Sequence, residues 1–146
     1  MSSDNDSPGF ADAAAVLAAQ PFSALVGARL TDYTDGAATL EIPIRPDLLQ
    51  QHGFVHGGVL SYAADNALTF AAGTVLGPSI VTAGFTISYL RPAVGTLLRA
   101  TASTVSATRR QALCRCEVYV DGPDGTTLCA AAQGSATRID LDRAPS

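Results

Sequence analysis

Apolar residues change rhythm several times along this chain, and each change predicts an element. Ser7-Pro8 opens a short helix through "FADAAAVLAAQ", which Pro21 ends. In "ARLTDYTDGAATLEIPI" apolar and polar positions alternate on both sides of Asp35-Gly36, the pattern of a two-stranded hairpin. The next stretch, "RPDLLQQHGFVHGG", has no period and carries one Pro, two His and three Gly, so it reads as a loop. From Gly57 to about Leu76 the chain is apolar on nearly every side and rich in Ala. That predicts a helix buried all round, with small residues that let a sheet approach closely. Gly77-Pro78 stops it. Strand patterns then cover 80–90, 96–108, 112–120 and 126–138, joined by the turn sequences "RPAVG", "RRQ" and "DGPDG".

The order is helix, two strands, one long buried helix, four strands. An α+β domain with an antiparallel sheet wrapped around one central helix accounts for it. Residues 1–8 are expected as a disordered N-terminus, 9–140 as a single domain and 141–146 as a tail. No internal repeat or second domain interrupts this plan.

Composition narrows the functional classes. The chain of 146 residues is 47% apolar and only 15% charged, which hints at a subunit interface. A net charge of −4 argues against non-specific nucleic-acid binding. The acidic, polar start "MSSDNDSPGF" is no secretory signal, and Asp65, Asn66 and Gly77-Pro78 interrupt the longest apolar run, so no membrane span is expected. Cys114, Cys116 and Cys129 lack a zinc spacing. The Cys-x-Cys pair is expected to turn its thiols to opposite faces of a strand, and all three read as reduced core residues, consistent with a cytoplasmic protein.

Charge is unevenly placed. Between Asn66 and Cys116 there is no Asp or Glu, yet Arg91, Arg99, Arg109, Arg110 and Arg115 fall there. On charge alone these are ordinary solvated strand edges; the alternative is an arginine-lined mouth for an anionic ligand.

Candidate chemistry centres on the long helix. Asp65 is the only charged residue between Gly53 and Leu90, with His counted neutral. Ser61, Asp65 and Thr69 stand four apart and form one polar stripe on an apolar rod. A carboxylate is costly there unless hydrogen-bonded, and withdrawing water makes any carboxylate a stronger base. Upstream, "HGG" falls where the loop becomes the helix. The first amides of a helix lack internal partners, and glycine lets a ligand approach them, so one N–H could hold a polarised carbonyl oxygen. Equally, Gly57 and Gly58 could serve close packing alone. His52 and His56 could be metal ligands with Asp65, or simply loop histidines. Gln50 could be a surface amide or a carbonyl polariser.

Together Gln50, His56-Gly57-Gly58, Asp65, "TISYLRPAVG" and "AAAQGSATR" resemble the hotdog-fold acyl-CoA thioesterases, nearest to the phenylacetate-pathway (PaaI-like) group. The resemblance spans residues 25 to 138. It implies Asp65 as general base or nucleophile, the Gly57 N–H as oxyanion donor, and His56 shaping the loop. It implies Gln50 facing the carbonyl, where many relatives carry Asn, and hydroxyls at Thr82 and Thr69 near the acid. Gly58, Ser61, Arg91, Arg109 and Arg110 fall at positions expected to bind substrate or the CoA phosphates. The resemblance also implies an acyl-CoA substrate, no metal or redox cofactor, and a homodimer with shared sites, dimers pairing into tetramers. A dehydratase or hydratase of the same fold is the nearest enzyme alternative, but "HGFVHGGV" lacks the former's prolines and the latter's Asp-then-His loop. A non-catalytic acyl-CoA-binding module, with Asp65 purely structural, is the alternative outside enzymes.

Overall fold

The computed structural model describes residues 8–139. Of the N-terminal segment expected from sequence to be disordered, residues 1–7 lie outside the described residues, as does the expected tail at 141–146, whereas Pro8 already belongs to the first helix. The chain opens with helices α1 (Pro8–Ala19) and α2 (Pro21–Val26), followed by the hairpin strands β1 (Arg29–Thr34) and β2 (Ala37–Pro43). A single 3-10 turn over Pro46–Leu48 precedes helix α3 (Gly57–Leu76). Strands β3 (Ile80–Tyr89), β4 (Leu97–Ala107), β5 (Gln111–Gly122) and β6 (Gly125–Arg138) complete the fold. The expected helices and six strands are all present. The sequence reading missed α2 and the 3-10 turn, both too short to show a period. α2 is held from outside: Arg45 donates from both guanidinium nitrogens to its last carbonyls, to Val26 O at 2.6 Å and to Leu25 O.

All six strands form one antiparallel sheet in the order β1-β2-β4-β5-β6-β3. Helix α3 lies across its concave face and touches every strand. Leu60, Ala63, Ala64, Ala67, Leu68, Ala71 and Ala72 are buried against the sheet, at the three-and-four spacing of one helical face. The alanines let the backbone come close to the inner residues Leu40, Leu98, Ala100, Cys116 and Val118. Helix α3 is therefore not buried all round, as its composition suggests. The flank carrying Ser61, Asp65 and Thr69 is only partly covered. Ala-rich composition hides the distinction, because alanine marks a tight contact and a neutral surface alike.

The cysteine expectation is also corrected. Cys114 and Cys116 are both fully buried and share the inner face of β5, since side chains two apart in a strand point the same way. Burial pushes the Cys116 thiol up to about 12 and, with its neighbour Glu117 adding to the effect, keeps it protonated. Cys129 is pushed up to about 11 by burial. All three thiols are free.

β3 is an edge strand and lies largely open to solvent. A shift in its pairing with β6 between Thr82 and Gly84 keeps Ile80, Thr82, Phe85, Ile87 and Tyr89 turned toward the helix side. Opposite Phe85 the sheet has Gly134, where a Cβ would stand 2.4 Å from the Phe85 Cβ. Only glycine lets the edge strand pass that close.

Candidate active site

The loop before α3 is built to present the helix start. A bridge between Leu49 and Val55 closes it, with Gln50 N–H on Phe54 O at 2.8 Å and Gly53 N–H on Gln50 O at 3.0 Å. Gly53 takes φ +86°, a left-handed conformation that favours glycine. Val55 N–H reaches Ala93 O at 3.0 Å, tying the loop to the β3–β4 connection. His56 is the N-cap, and its Nδ1 accepts from Gly58 N–H at 2.8 Å. The imidazole therefore carries its neutral-state proton on Nε2. Gly57 sits at the first helical position, where its amide has no acceptor in the helix, and no described residue accepts from it.

Tyr89 approaches this turn from the end of β3. Its hydroxyl donates to Gly57 O at 3.1 Å and is 2.6 Å from Ser61 Oγ. A Cβ on Gly57 would stand 3.3 Å from the Tyr89 ring, so the glycine makes room for the phenol. Gln50 Oε1 accepts from His52 N–H, which leaves the Gln50 NH2 as the free donor end. Gln50, Gly57, Leu60, Tyr89 and Arg91 line one cavity of about 290 Å³.

Two turns along α3 lies the acid. Asp65 Oδ1 accepts from Thr82 Oγ1 at 2.8 Å, and Thr69 Oγ1 stands 3.5 Å from the same oxygen. The two threonine hydroxyls are 2.8 Å apart, and Thr69 also donates to the Asp65 carbonyl at 2.8 Å. No described residue bonds Oδ2. The carboxylate is thus fixed through one oxygen and open at the other.

The structure brings the predicted residues together in two groups rather than one. Gln50, His56, Gly57, Gly58 and Ser61 gather at the start of α3, beside Tyr89 and Arg91. Asp65, Thr69 and Thr82 form the second group, eight residues and roughly 12 Å further along the helix. His52, His56 and Asp65 do not form a cluster of metal-ligating side chains among the described residues.

Within one chain the arginines divide in the same way. Arg91 follows Tyr89 and donates to Leu128 O at 3.1 Å. Arg109 and Arg110 lie in the β4–β5 turn beside Arg138, which donates from its amide to Arg110 O at 2.8 Å and from its side chain to Arg109 O at 3.2 Å. Arg138 pairs with Ile80 at the far end of β3 from Tyr89, so the two sets are separated by the length of that strand, about 30 Å. Arg99 is occupied by a two-pronged contact with Asp121, at 2.8 and 3.3 Å. Arg115 lies on the outer face of β5, away from α3.

Tyr89 is the site residue that sequence reasoning passed over. Its position in the inward alternation of β3, after Ile87 and beside Arg91, is the signal that could have found it.

Comparison with known proteins agrees with the fold. The model of the thioesterase superfamily matches residues 52–127, and the chain belongs to that superfamily. A thioesterase family protein from Silicibacter pomeroyi superposes with a TM-score of 0.85 at 26% identity, covering 90% of this chain and 98% of that one. A mutant of the phenylacetic acid degradation protein PaaI from Thermus thermophilus is 33% identical, with a TM-score of 0.72 over 82% of this chain and 100% of that one. The PaaI protein of the Escherichia coli phenylacetic acid degradation operon shares the fold at 22% identity and a TM-score of 0.79, covering 90% and 94%. A search of the curated proteins finds no match. The architecture is the hotdog fold, and the chemistry of its family is acyl-thioester hydrolysis. No helix among the described residues is long and apolar enough to cross a membrane.

Proposed function

We propose that this chain is an acyl-CoA thioesterase whose active site is assembled from two copies of the chain. One observation carries the reading: a carboxylate held by the Thr82 hydroxyl, with one oxygen open, on the partly covered flank of a helix whose first amide is also unpaired. In the reaction the thioester carbonyl oxygen takes a hydrogen bond from Gly57 N–H, with the Gln50 NH2 as a second donor. Asp65 removes a proton from water as it attacks, or attacks the carbonyl itself to give an anhydride that water then opens. Either route breaks the C–S bond, expels the CoA thiolate and leaves the free acid. In a single turnover in ¹⁸O-water, label in the Asp65 carboxylate identifies the anhydride route with water opening it at the Asp65 carbonyl, since the general-base route puts label only in the free acid.

Two chains are needed because one reacting carbon must lie within about 3 Å of its oxyanion donor and close to its base at once. On one rigid helix the two groups are roughly 12 Å apart. The open edge of β3 offers the remedy. A second copy pairing antiparallel along it, across a two-fold axis, carries Thr82 and Asp65 of one chain toward Tyr89 and Gly57 of the other. The same operation brings Arg91 toward Arg109, Arg110 and Arg138 of the second copy, restoring one basic mouth for CoA phosphates. Association of two such dimers into a tetramer extends the proposal.

A complementation assay tests it. Thiol release from short, aromatic and long acyl-CoAs is measured first; no release from any of them overturns the reading. Asp65→Asn and Gln50→Ala chains, each inactive alone, are then co-refolded. Random pairing makes about half the dimers mixed, each with one intact site, so about a quarter of wild-type activity should return. Verified subunit exchange without recovered activity would place both residues in one chain's site.

A further inference from the structure

A second cavity, of about 360 Å³, opens between α1, α3 and the start of β3. Its wall is mainly apolar: Ala13 and Val16 from α1, the Tyr33 ring, Phe70 and Gly73 from α3, and Ile80. The amides at its edge are engaged, since Gln20 Oε1 accepts from Ser23 Oγ at 2.6 Å and Asn66 Nδ2 donates to Tyr62 O at 3.3 Å. No arginine lines it, and its one charged residue is Asp12, exposed at the rim. Thr69 belongs to the same wall, with its hydroxyl 3.5 Å from Asp65 Oδ1. The cavity therefore reaches to within one side chain of the carboxylate.

We propose that this cavity receives the acyl chain of the thioester, and that the chain it selects is uncharged, aliphatic and of medium length, about eight to twelve carbons. The inference rests on the thioesterase reading of the site. Length follows from volume: a cavity of about 150 Å³ holds benzene, or about 25 Å³ per carbon, so 360 Å³ bounds the chain near fourteen carbons and the open rim lowers that. Lack of charge follows from the lining. A terminal carboxylate would meet Asp12 and find no cation among the lining residues, whereas a hydrocarbon meets rings and methyl groups. Helix α1 thereby acts as a specificity wall, although it contributes nothing to the reacting centre.

Gly73 and Val16 give the test. A Cβ on Gly73 would stand 3.4 Å from Tyr33 Oη and 3.6 Å from the Ile80 Cδ1, both ordinary contacts, so a larger side chain there grows into the cavity. Val16 narrows the cavity from the opposite wall and is 54% exposed, so Val16→Trp is tolerated even if Gly73→Leu fails to fold. The readout is kcat/KM for butyryl-, decanoyl- and decanedioyl-CoA. Each fully buried methylene is worth up to about fourfold, and about twofold when half-covered under the open rim, so six of them should favour decanoyl over butyryl by about 10²-fold. Gly73→Leu and Val16→Trp should each cut that ratio by about tenfold or more. A wild-type ratio near one, or a ratio that neither variant changes, overturns the proposal. Equal turnover of the decanoyl and decanedioyl thioesters overturns its charge argument. If no thioester is hydrolysed, the thioesterase reading fails and calorimetry with uncharged 1-decanol decides the cavity separately. Decanol binding weakened by both variants supports it, and no binding overturns it.

Discussion

Two stripes run the length of α3, and they obey different rules. The sheet-facing stripe, from Leu60 through Ala63, Ala64, Ala67 and Leu68 to Ala72, is fully dry and made of small or branched apolar residues. The flank stripe of Ser61, Asp65 and Thr69 meets β3 only through hydroxyls: Ser61 with Tyr89, and Asp65 and Thr69 with Thr82. One helix thus supplies the centre of the core on one side and a polar site on the other. Stability and chemistry should then separate cleanly when the stripes are altered one at a time.

The largest effect is expected from Asp65→Asn. An amide keeps the shape and still accepts from Thr82, but it cannot serve as base or nucleophile. The variant should lose on the order of 10²-fold or more in kcat while its urea midpoint and CoA binding stay close to wild type. Thiol-release kinetics beside an unfolding curve make the check, and near-normal turnover would remove Asp65 from the mechanism.

On the opposite stripe the sign of the result should reverse. Ala67 is wholly buried between helix and sheet, so Ala67→Leu forces extra methylenes into a filled layer and should cost about 1–3 kcal/mol. Turnover per folded molecule should change little. A variant as stable as wild type would show that the helix and sheet are not closely packed there.

The thiols beneath that stripe give a smaller, pH-dependent version of the same test. Cys116 faces α3, and its folded value of about 12 lies above the ordinary value of 9.0 that it regains on unfolding. Its contribution is complete below about pH 9 and is lost as pH rises toward the folded value. Above pH 9 the native state holds the proton that the unfolded chain releases, so stability falls by up to about 1.4 kcal/mol per pH unit from this thiol. Urea melts at pH 8 and pH 10 of wild type and Cys116→Ala should diverge in slope. Parallel slopes would mean that water reaches the layer.

How much of this was legible beforehand depends on what each signal needs. The span of α3 and all six strands follow from local alternation and from Gly77-Pro78, so periodicity alone locates them. Asp65, Thr69 and Ser61 are legible as a stripe because helical spacing is local too. The helix-start amides at Gly57 and Gly58 are legible locally as possible donors, whereas Thr82 came only through family resemblance and Tyr89 not at all, because β3 crosses the helix 17 residues after Asp65 and 32 after Gly57. The burial of one face of α3 could not be read, since alanine fits both faces. The shared face of Cys114 and Cys116 is also a local signal, since a strand's period of two turns side chains two apart the same way. The placement of the arginines was not legible for a topological reason: the antiparallel return through β4 sends Arg91 and Arg109 of one chain to opposite ends of β3.

That division of the arginines carries the last and smallest expected effect. Arg109 and Arg110 are exposed and lie in a turn, so they contribute little to stability. If the flank stripe of one copy completes the helix start of another, they lie at the outer rim of the joint site, remote from the reacting carbon. Contacts made equally to substrate and transition state alter KM and leave kcat alone. Arg109→Ala with Arg110→Ala should then raise KM for an acyl-CoA by about fivefold, the scale of exposed guanidinium–phosphate pairs, with kcat within about twofold. The same double variant should act normally on the matching acyl-pantetheine, which lacks the nucleotide phosphates. Arg91→Ala should show the same split, because the two-fold pairing puts it on the same rim. If Arg91 alone discriminates CoA from pantetheine, the nucleotide is bound at the Tyr89 end by one chain, and the rim shared between copies is wrong even where the shared reacting centre survives.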